Sequence, residues 1–485
     1  MKGLLITLFF YSTVLVAQKP PKPYGAVPSA RQLAWHATEV YGLIHFTPTT
    51  FENKEWGYGD ANPSTFNPSD FNADQIISAA KAGGLKGIIL VAKHHDGFAL
   101  WPTKTTDYNI TKSPFRNGKG DLVKEIEQAA RKSGLKFGVY CSPWDRNNPK
   151  YGGSEYLGIY QAQLKELYSN YGQLFMSWHD GANGGDGYYG GAREKRSIDN
   201  TTYYDWDNTW GKITRKMQPM ANIFSDIGWD IRWVGNENGN AAETSWATFT
   251  PMPPEGQNVA VPGQANYPES PGGIRNGRFW MPAECDVPLR KGWFYHPDEK
   301  PKTPESLFDL YLKSVGRGAG LDLGLAPDLR GQLHPDDVTA LAAFGNILKH
   351  TFSNNLAQGA IVKASNIRGN AYSTKALFDG NQKTYWATSD AVHQASLELD
   401  LNTIKSFDII SLQEYIPLGQ RIEAFNVEIQ EEHGKWKKIC SGTSIGAKRL
   451  IRLDQVVSAK KIRFNITQSP VAVTLSEIGL YKKAD

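Results

Sequence analysis

Gly87-Ile88-Ile89-Leu90-Val91-Ala92-Lys93-His94-His95-Asp96-Gly97-Phe98 is an apolar run that stops abruptly in a cluster of polar and aromatic side chains. It reads as a strand over 87–95, and on either side the chain repeats one unit. An amphipathic helix over Ala73–Ala82, closed by Gly83-Gly84, comes before it. Another over Leu122–Lys132, closed by Gly134, follows and leads into a strand-type run at 137–142. Runs at 41–46, 174–180, 222–226, 232–237, 278–286 and 315–325 bring the strands to about eight, with helices expected over 156–170 and 203–217. This alternation predicts an α/β fold, a (β/α)8-like TIM barrel over residues 25–350. One unit departs from the pattern. The Pro/Gly-rich stretch 251–273 has no helical period where a regular barrel places a helix, so the barrel is expected to be partly distorted, with a long loop over its active-site face.

Beyond residue 354 the periodicity changes to short alternating runs at 396–401, 407–412, 424–430, 435–440, 449–453, 461–466 and 477–481. Residues 354–485 therefore read as an all-β sandwich of jelly-roll type. At the other end, Lys2, the apolar run 3–16 and the small residue Ala17 describe a secretory signal peptide over 1–18. The run is short for a membrane span, which needs ~20 apolar residues, and no other span is expected. Export to the periplasm or the medium of a bacterium follows as an expectation. Cys141, Cys285 and Cys440 form neither a disulfide framework nor a metal-ligand spacing. A net charge of +4 with no basic stripe gives no reason to expect nucleic acid. The 14 Trp and 22 Tyr offer faces for stacking on sugar rings, but large barrels bury many aromatics too, so composition does not decide.

The chemistry collects at the strand ends, where barrel enzymes build their sites. His45 ends the first strand, and Lys93 to Phe98 end the second. Tyr140-Cys141-Ser142 end the third, Trp178-His179-Asp180-Gly181 the fourth, Gly235-Asn236-Glu237 the sixth and Glu284-Cys285-Asp286 the seventh. Histidines at strand ends are candidate metal ligands, yet the His-x-His of a barrel metallohydrolase is missing from the first strand. His94 and His95 are adjacent and point to opposite faces unless the strand is ending, which suits sugar hydroxyls better than joint chelation. Asp180 precedes a Gly-rich loop that leaves its carboxylate open to a ligand; the competing reading is a helix N-cap. Trp178 shares its strand face. Glu237 has the apolar neighbours that keep a general acid protonated.

These strand ends resemble glycoside hydrolase family 29, the α-L-fucosidases, from about residue 25 to 345. The carriers are Gly42-Leu43-Ile44-His45-Phe46, Glu55-Trp56, Ala92 to Phe98, Tyr140-Cys141-Ser142, Trp178 to Gly181 and Gly235-Asn236-Glu237. The resemblance implies a retaining fucosidase without a catalytic cofactor, acting on fucosylated oligosaccharides or glycoconjugates. It implies Asp180 as nucleophile, Glu237 as acid/base, and His45, Trp56, His94, His95, Tyr140, Trp178 and Glu284 as substrate-binding residues. Arg232 to Glu237, Pro282 to Asp286 and Gly292 to His296 are similar to the subfamily that cuts α-1,3 and α-1,4 linkages of branched, Lewis-type glycans. Glu243 and Glu284 are the rival acids. Gly320-Leu321-Asp322-Leu323-Gly324 departs from the family's Asn-rich last strand.

The C-terminal part resembles the discoidin or coagulation-factor type C family, through Asn355-Leu356-Ala357, Ala376 to Asn381, Thr384-Tyr385-Trp386 and Ser476 to Tyr481. That likeness implies a structural calcium with Asp379 and Glu477 as candidate ligands, oxygen donors being what calcium takes. An ordinary Asp-Gly-Asn turn is the competing reading. Three other readings stand beside the linkage-specific enzyme: a broad fucosidase on simple fucosides, a non-catalytic glycan-binding protein on a decayed barrel, and a metallohydrolase. The sequence leaves the oligomeric state open.

Overall fold

The computed structural model describes residues 19–226, 228–252 and 268–484, so the expected signal peptide and most of the 251–273 loop lie outside the described residues. Eight parallel strands close a barrel in chain order: β1 (Val40–Ile44), β2 (Gly87–Lys93), β3 (Lys136–Cys141), β4 (Met176–Trp178), β5 (Asn222–Ser225), β6 (Ile231–Trp233), β7 (Ala283–Pro288) and β8 (Gly320–Leu325), with β8 pairing back onto β1. Side chains alternate across each strand. Tyr41, Leu43, Ile89, Val91, Tyr140, Met176, Trp178 and Phe224 form one buried cluster, and a larger one with Ile88, Leu90, Val139 and Ile223 packs against the surrounding helices. Trp35 belongs to the first cluster and comes from α1 (Ala30–His36).

The helices outside are α2 (Ala73–Ala82), α3 (Leu122–Lys132), α4 (Glu155–Asn170), α5 (Pro304–Lys313) and α6 (Pro335–Phe352). Asn72 and Asp121 cap α2 and α3, each accepting from a backbone N–H in the first turn. The expected helix over 203–217 is a shorter π-helix, Trp210–Arg215. Among the described residues no helix lies between β6 and β7, the expected loop 251–273 falling mostly outside them, and between β5 and β6 residues 226–230 leave no room for a helix. Gly345 of α6 lies against the end of α2, where a Cβ would sit 1.9 Å from the Ala82 carbonyl oxygen. Gly345→Ala should therefore destabilise the fold by about 1–3 kcal/mol through overpacking, although alanine is the better helix former by ~1 kcal/mol. A denaturation midpoint raised by the substitution would contradict this packing.

The C-terminal part is antiparallel: β9 (Ile361–Ala364), β10 (Ala395–Gln413), β11 (Ala424–Gln430), β12 (Trp436–Gly442), β13 (Arg449–Gln468) and β14 (Glu477–Tyr481). The order is β9-β10-β13-β11-β12, with β14 on β10. Four of the expected runs merge into two long strands. Register shifts at Asp400/Lys405 and Phe407/Ile409 let β10 and β13 bend while they stay paired. Trp386, Phe407, Phe425 and Phe464 are among the residues of its core.

The two parts share a polar seam. Lys448 reaches Glu39, and the Arg449 guanidinium is 3.1 Å from the Glu243 carboxylate. Leu450 N–H donates to the Gly316 carbonyl at 2.8 Å. All three cysteines are free, and no helix among the described residues is long and apolar enough to cross a membrane.

Candidate active site

The Lys-His-His-Asp-Gly-Phe stretch divides its labour. Lys93 is buried and spends its ammonium on Asp145 (3.3 Å), the Tyr156 hydroxyl (2.8 Å) and Gln163 (2.9 Å). Asp96 accepts from Thr47 (2.7 Å) and Thr49 (2.9 Å), which ties this loop to the one after β1. Gly97 is left-handed (φ 85°), and a Cβ there would lie 2.1 Å from the Asp145 carboxylate. With those three residues pinning the turn, His94 and His95 follow the end of β2 and both turn the same way, their rings 4.0 Å apart.

His95 meets Asp180, Nε2 to Oδ2 at 3.6 Å, and its Nδ1 lies 2.8 Å from the Ser142 hydroxyl. Tyr140 donates its hydroxyl to Asp180 Oδ2 at 2.8 Å. Burial, then the Asp180 charge, hold that hydroxyl far above its ordinary pKa, so it stays a donor. Asp180 Oδ1 accepts from Ala182 N–H (2.8 Å), and its carbonyl accepts from the Tyr204 hydroxyl (2.6 Å). Burial is also the leading cause that lowers His45 to about 3 and His95 to about 4, and holds His94 well below its usual value. All three rings are thus neutral near pH 7, hydrogen-bonding groups rather than charges. His94 Nδ1 is buried and has no hydrogen-bond partner among the described residues. His45 packs on His94, Trp293 and Phe294. Trp56, 53% exposed, stands edge-on to His95.

A cavity of about 320 Å³ opens beside this wall, lined by Trp178, Asp180, Phe224, Asp226, Trp233, Glu237 and Asp286, with Gly181 and Ala182. Trp178 stacks on Phe224 at 4.3 Å and stands edge-on to Tyr140 at 5.0 Å. Glu237 does not close β6 as the sequence suggests. The strand ends at Trp233, Gly235 turns left-handed (φ 86°) against Ser270, and the Asn236 side chain closes the turn by accepting from Asn238 N–H (3.1 Å). That turn presents Glu237 to the cavity. Burial raises its pKa, the charges of Asp180 and Glu55 add to the rise, and a hydrogen bond from the Trp293 side chain opposes it. Gly324 makes room for that indole, since a Cβ there would lie 2.7 Å from its ring.

Two expected residues stand elsewhere. Glu284, expected to bind substrate, is fully buried below the cavity and reaches it only through others, accepting from the Trp178 indole (2.6 Å) and the Tyr41 hydroxyl. Burial lifts its carboxyl to about 7. Glu243, a rival acid, faces Arg449 in the seam between the parts, 72% exposed. The departing residue Asp322 is buried near Glu284 and Asp286, and burial followed by those charges raises its carboxyl well above the usual range. The sequence reading missed Asp226, Trp233, Phe224 and Trp293 as lining or supporting residues. Asp226 had a signal, because the run 222–226 ends in a polar residue just as most of the other runs do.

Asp379 and Glu477 do come together, 98 positions apart in the chain (477 − 379). Asp379 accepts from Asn381 N–H (2.9 Å) and the Thr384 hydroxyl (2.7 Å). Glu477 has one buried oxygen, Oε1, without a hydrogen-bond partner, and burial followed by the Asp379 charge lifts it to about 7. Among the described residues no three His, Cys, Asp or Glu side chains gather to hold a metal ion.

Comparison with known proteins finds relatives of both parts of the chain. The α-L-fucosidase family profile matches residues 24–351, and the F5/8 type C domain profile matches 361–478. Alpha-L-fucosidase 1 of Arabidopsis thaliana is 38% identical over 98% of this chain and 94% of its own. The solved structure of a Ruminococcus gnavus glycoside hydrolase 29 fucosidase in complex with fucose superposes with a TM-score of 0.86 at 31% identity, covering 98% of both chains. A glycoside hydrolase 29 family member from a rumen bacterium superposes at 0.83 with 36% identity, over 96% of this chain and 78% of that one.

Proposed function

The chain belongs to the α-L-fucosidase family, glycoside hydrolase family 29, with an F5/8 type C domain behind the barrel, and on that premise we propose that it releases fucose from α-1,3- and α-1,4-fucosylated branched glycans with retention of configuration. The observation that carries the proposal is that Asp180 and Glu237 line one cavity in different electrostatic surroundings. Asp180 keeps two hydrogen-bond donors on its oxygens, which suits a carboxylate anion, whereas Glu237 is held toward its protonated form.

In the first step Asp180 attacks the anomeric carbon of fucose while Glu237 gives its proton to the departing glycosidic oxygen. In the second, Glu237 takes a proton from water, which hydrolyses the fucosyl ester and frees Asp180. His45, His94, His95 and Tyr140 contact the fucose hydroxyls, and Trp178 walls the ring. The linkage preference rests on the Arg232 to Glu237 stretch. Fucose release from a Lewis-type trisaccharide is compared with release from a simple aryl α-fucoside, each with a chelator control. Fast release from the branched glycan and poor release from the aryl fucoside is expected. The reverse preference removes the linkage assignment, and a first-formed β-anomer, seen by NMR, removes retention.

The reading extends to the C-terminal domain. Two carboxylates that raise each other's cost of ionisation, one with an orphaned buried oxygen, are what a hard divalent cation relieves, and oxygen donors suit calcium. Asp379 and Glu477 would hold it as a structural ion. Added Ca²⁺ should raise the melting temperature by about 2–4 °C for ~1 kcal/mol of linkage, and Asp379→Ala should abolish the shift. An unchanged melting temperature on titration would dismiss the site. The amino-terminal segment fits export, so the enzyme would meet glycans outside the cytoplasm.

A further inference from the structure

The segment around 243–249 lies between the two parts of the molecule and is gripped from both sides. From the C-terminal domain, Gln420 accepts from Ala247 N–H (2.8 Å) and donates to the Ser245 carbonyl (2.9 Å). Ser444 Oγ accepts from Ser245 N–H at 2.8 Å, and the Thr443 and Thr244 hydroxyls are 2.8 Å apart. From the barrel, the residue between these contacts, Trp246, takes a hydrogen bond from Arg232 Nη2 on its carbonyl at 3.2 Å.

Arg232 is fully buried, and among the described residues it meets no carboxylate. Its donors go to three carbonyls on separate stretches of chain, those of Ser270 (3.0 Å), Trp246 and Met281. A buried cation without a counter-ion persists only where every donor finds an acceptor held in place. The acceptors here are loop carbonyls, and the clamp organises them. Met281 N–H donates to the Ala247 carbonyl (2.7 Å), and Trp246 N–H donates to the Gly272 carbonyl (2.8 Å). Gly273 must be glycine at this junction, since a Cβ would lie 2.1 Å from the Trp246 carbonyl oxygen. Arg232 is on β6, and Ser270, which takes its Nε–H, is also the residue that backs Gly235 at the start of the Glu237 turn.

We propose that the C-terminal domain positions the acid/base: Gln420 and Ser444 fix the 243–249 segment, the segment fixes Arg232 and Ser270, and these set where the Glu237 turn enters the cavity. The proposal rests on Glu237 being the acid/base. Gln420 and Ser444 are positioning residues that touch no substrate.

The test separates acid catalysis from general stability. The aryl oxide of an activated aryl fucoside leaves without a proton, whereas a sugar leaving group needs one. Gln420→Met, of similar volume but without either hydrogen bond, should lower kcat/KM about tenfold on the branched glycan and less than twofold on the aryl fucoside, a part of the ~10²–10⁴ that a well-placed acid supplies. Lys448→Met breaks a seam contact off this path and should change both substrates equally, or neither. Should Gln420→Met not fold, Ser444→Ala removes a single bond and should show the same contrast at about threefold. Equal losses on the two substrates, or no loss on either, overturn the proposal. Glu237→Gln run in parallel shows which premise failed: if it lacks the leaving-group contrast, the acid/base reading falls; if it alone shows the contrast, the clamp falls.

Discussion

Asp180→Ala should lower kcat by at least about 10⁴-fold on every fucoside, with the fold intact, because removing a nucleophile removes the covalent route altogether. The fold should survive because the backbone at this position is held independently, by the Tyr204 hydroxyl on its carbonyl. Of the side chain's own partners, Ala182 N–H lines the cavity and can turn to water, and the buried Tyr140 hydroxyl keeps the Ser142 side chain as a hydrogen-bond partner. A melting temperature within about 3 °C of the parent is therefore expected for a loss near 1 kcal/mol. The variant also offers a positive signature. With an activated aryl fucoside, azide can enter the space the carboxylate leaves and displace the aryl oxide from the face opposite the leaving group, giving β-fucosyl azide. Turnover close to the parent would take Asp180 out of the reaction, and an α-configured azide product would show that Asp180 does not guard that face.

What the sequence shows and what it hides follow from the range of the forces. The barrel was readable because most strands are apolar runs stopping at polar residues, a local pattern that the closed β1–β8 order fulfils. The histidine pair was readable as a site but not as a geometry. Their shared orientation depends on Asp96 and Gly97 pinning the turn to residues of other loops, which no local period encodes. Glu284 shows the same limit. At a strand end it looks like a ligand to substrate, yet its partners are Tyr41 and Trp178, 243 and 106 positions away. Asp226 escapes a local reading because the cavity it lines exists only once β4, β5 and β6 are side by side. The long strands β10 and β13 read as four separate runs because a register shift interrupts alternation without ending the pairing.

Glu237→Gln should show a split by leaving group and by pH. On a branched glycan the amide cannot protonate the departing sugar, and kcat/KM should fall about 10²–10⁴-fold. On an activated aryl fucoside formation of the fucosyl-enzyme needs no acid, so kcat/KM should change little, while kcat falls because no base activates water in the second step. Azide should restore that kcat by attacking the fucosyl-enzyme without a base. The pH dependence follows from the surroundings of Glu237. Partial desolvation, then Asp180 and Glu55, raise its pKa, so the parent keeps the proton needed for glycan cleavage to a higher pH than a glutamate of ordinary pKa would. Activity on the glycan is present below that pKa and is lost as pH rises through it, and this basic limb should vanish in Glu237→Gln. The Trp293 hydrogen bond opposes the rise because it favours the charged form, so Trp293→Phe should move the basic limb to still higher pH. A basic limb that persists unchanged in Glu237→Gln would assign the proton to another group. Of the remaining acids on the cavity, Asp286 accepts from the Trp233 indole at 2.7 Å and would be the next to test.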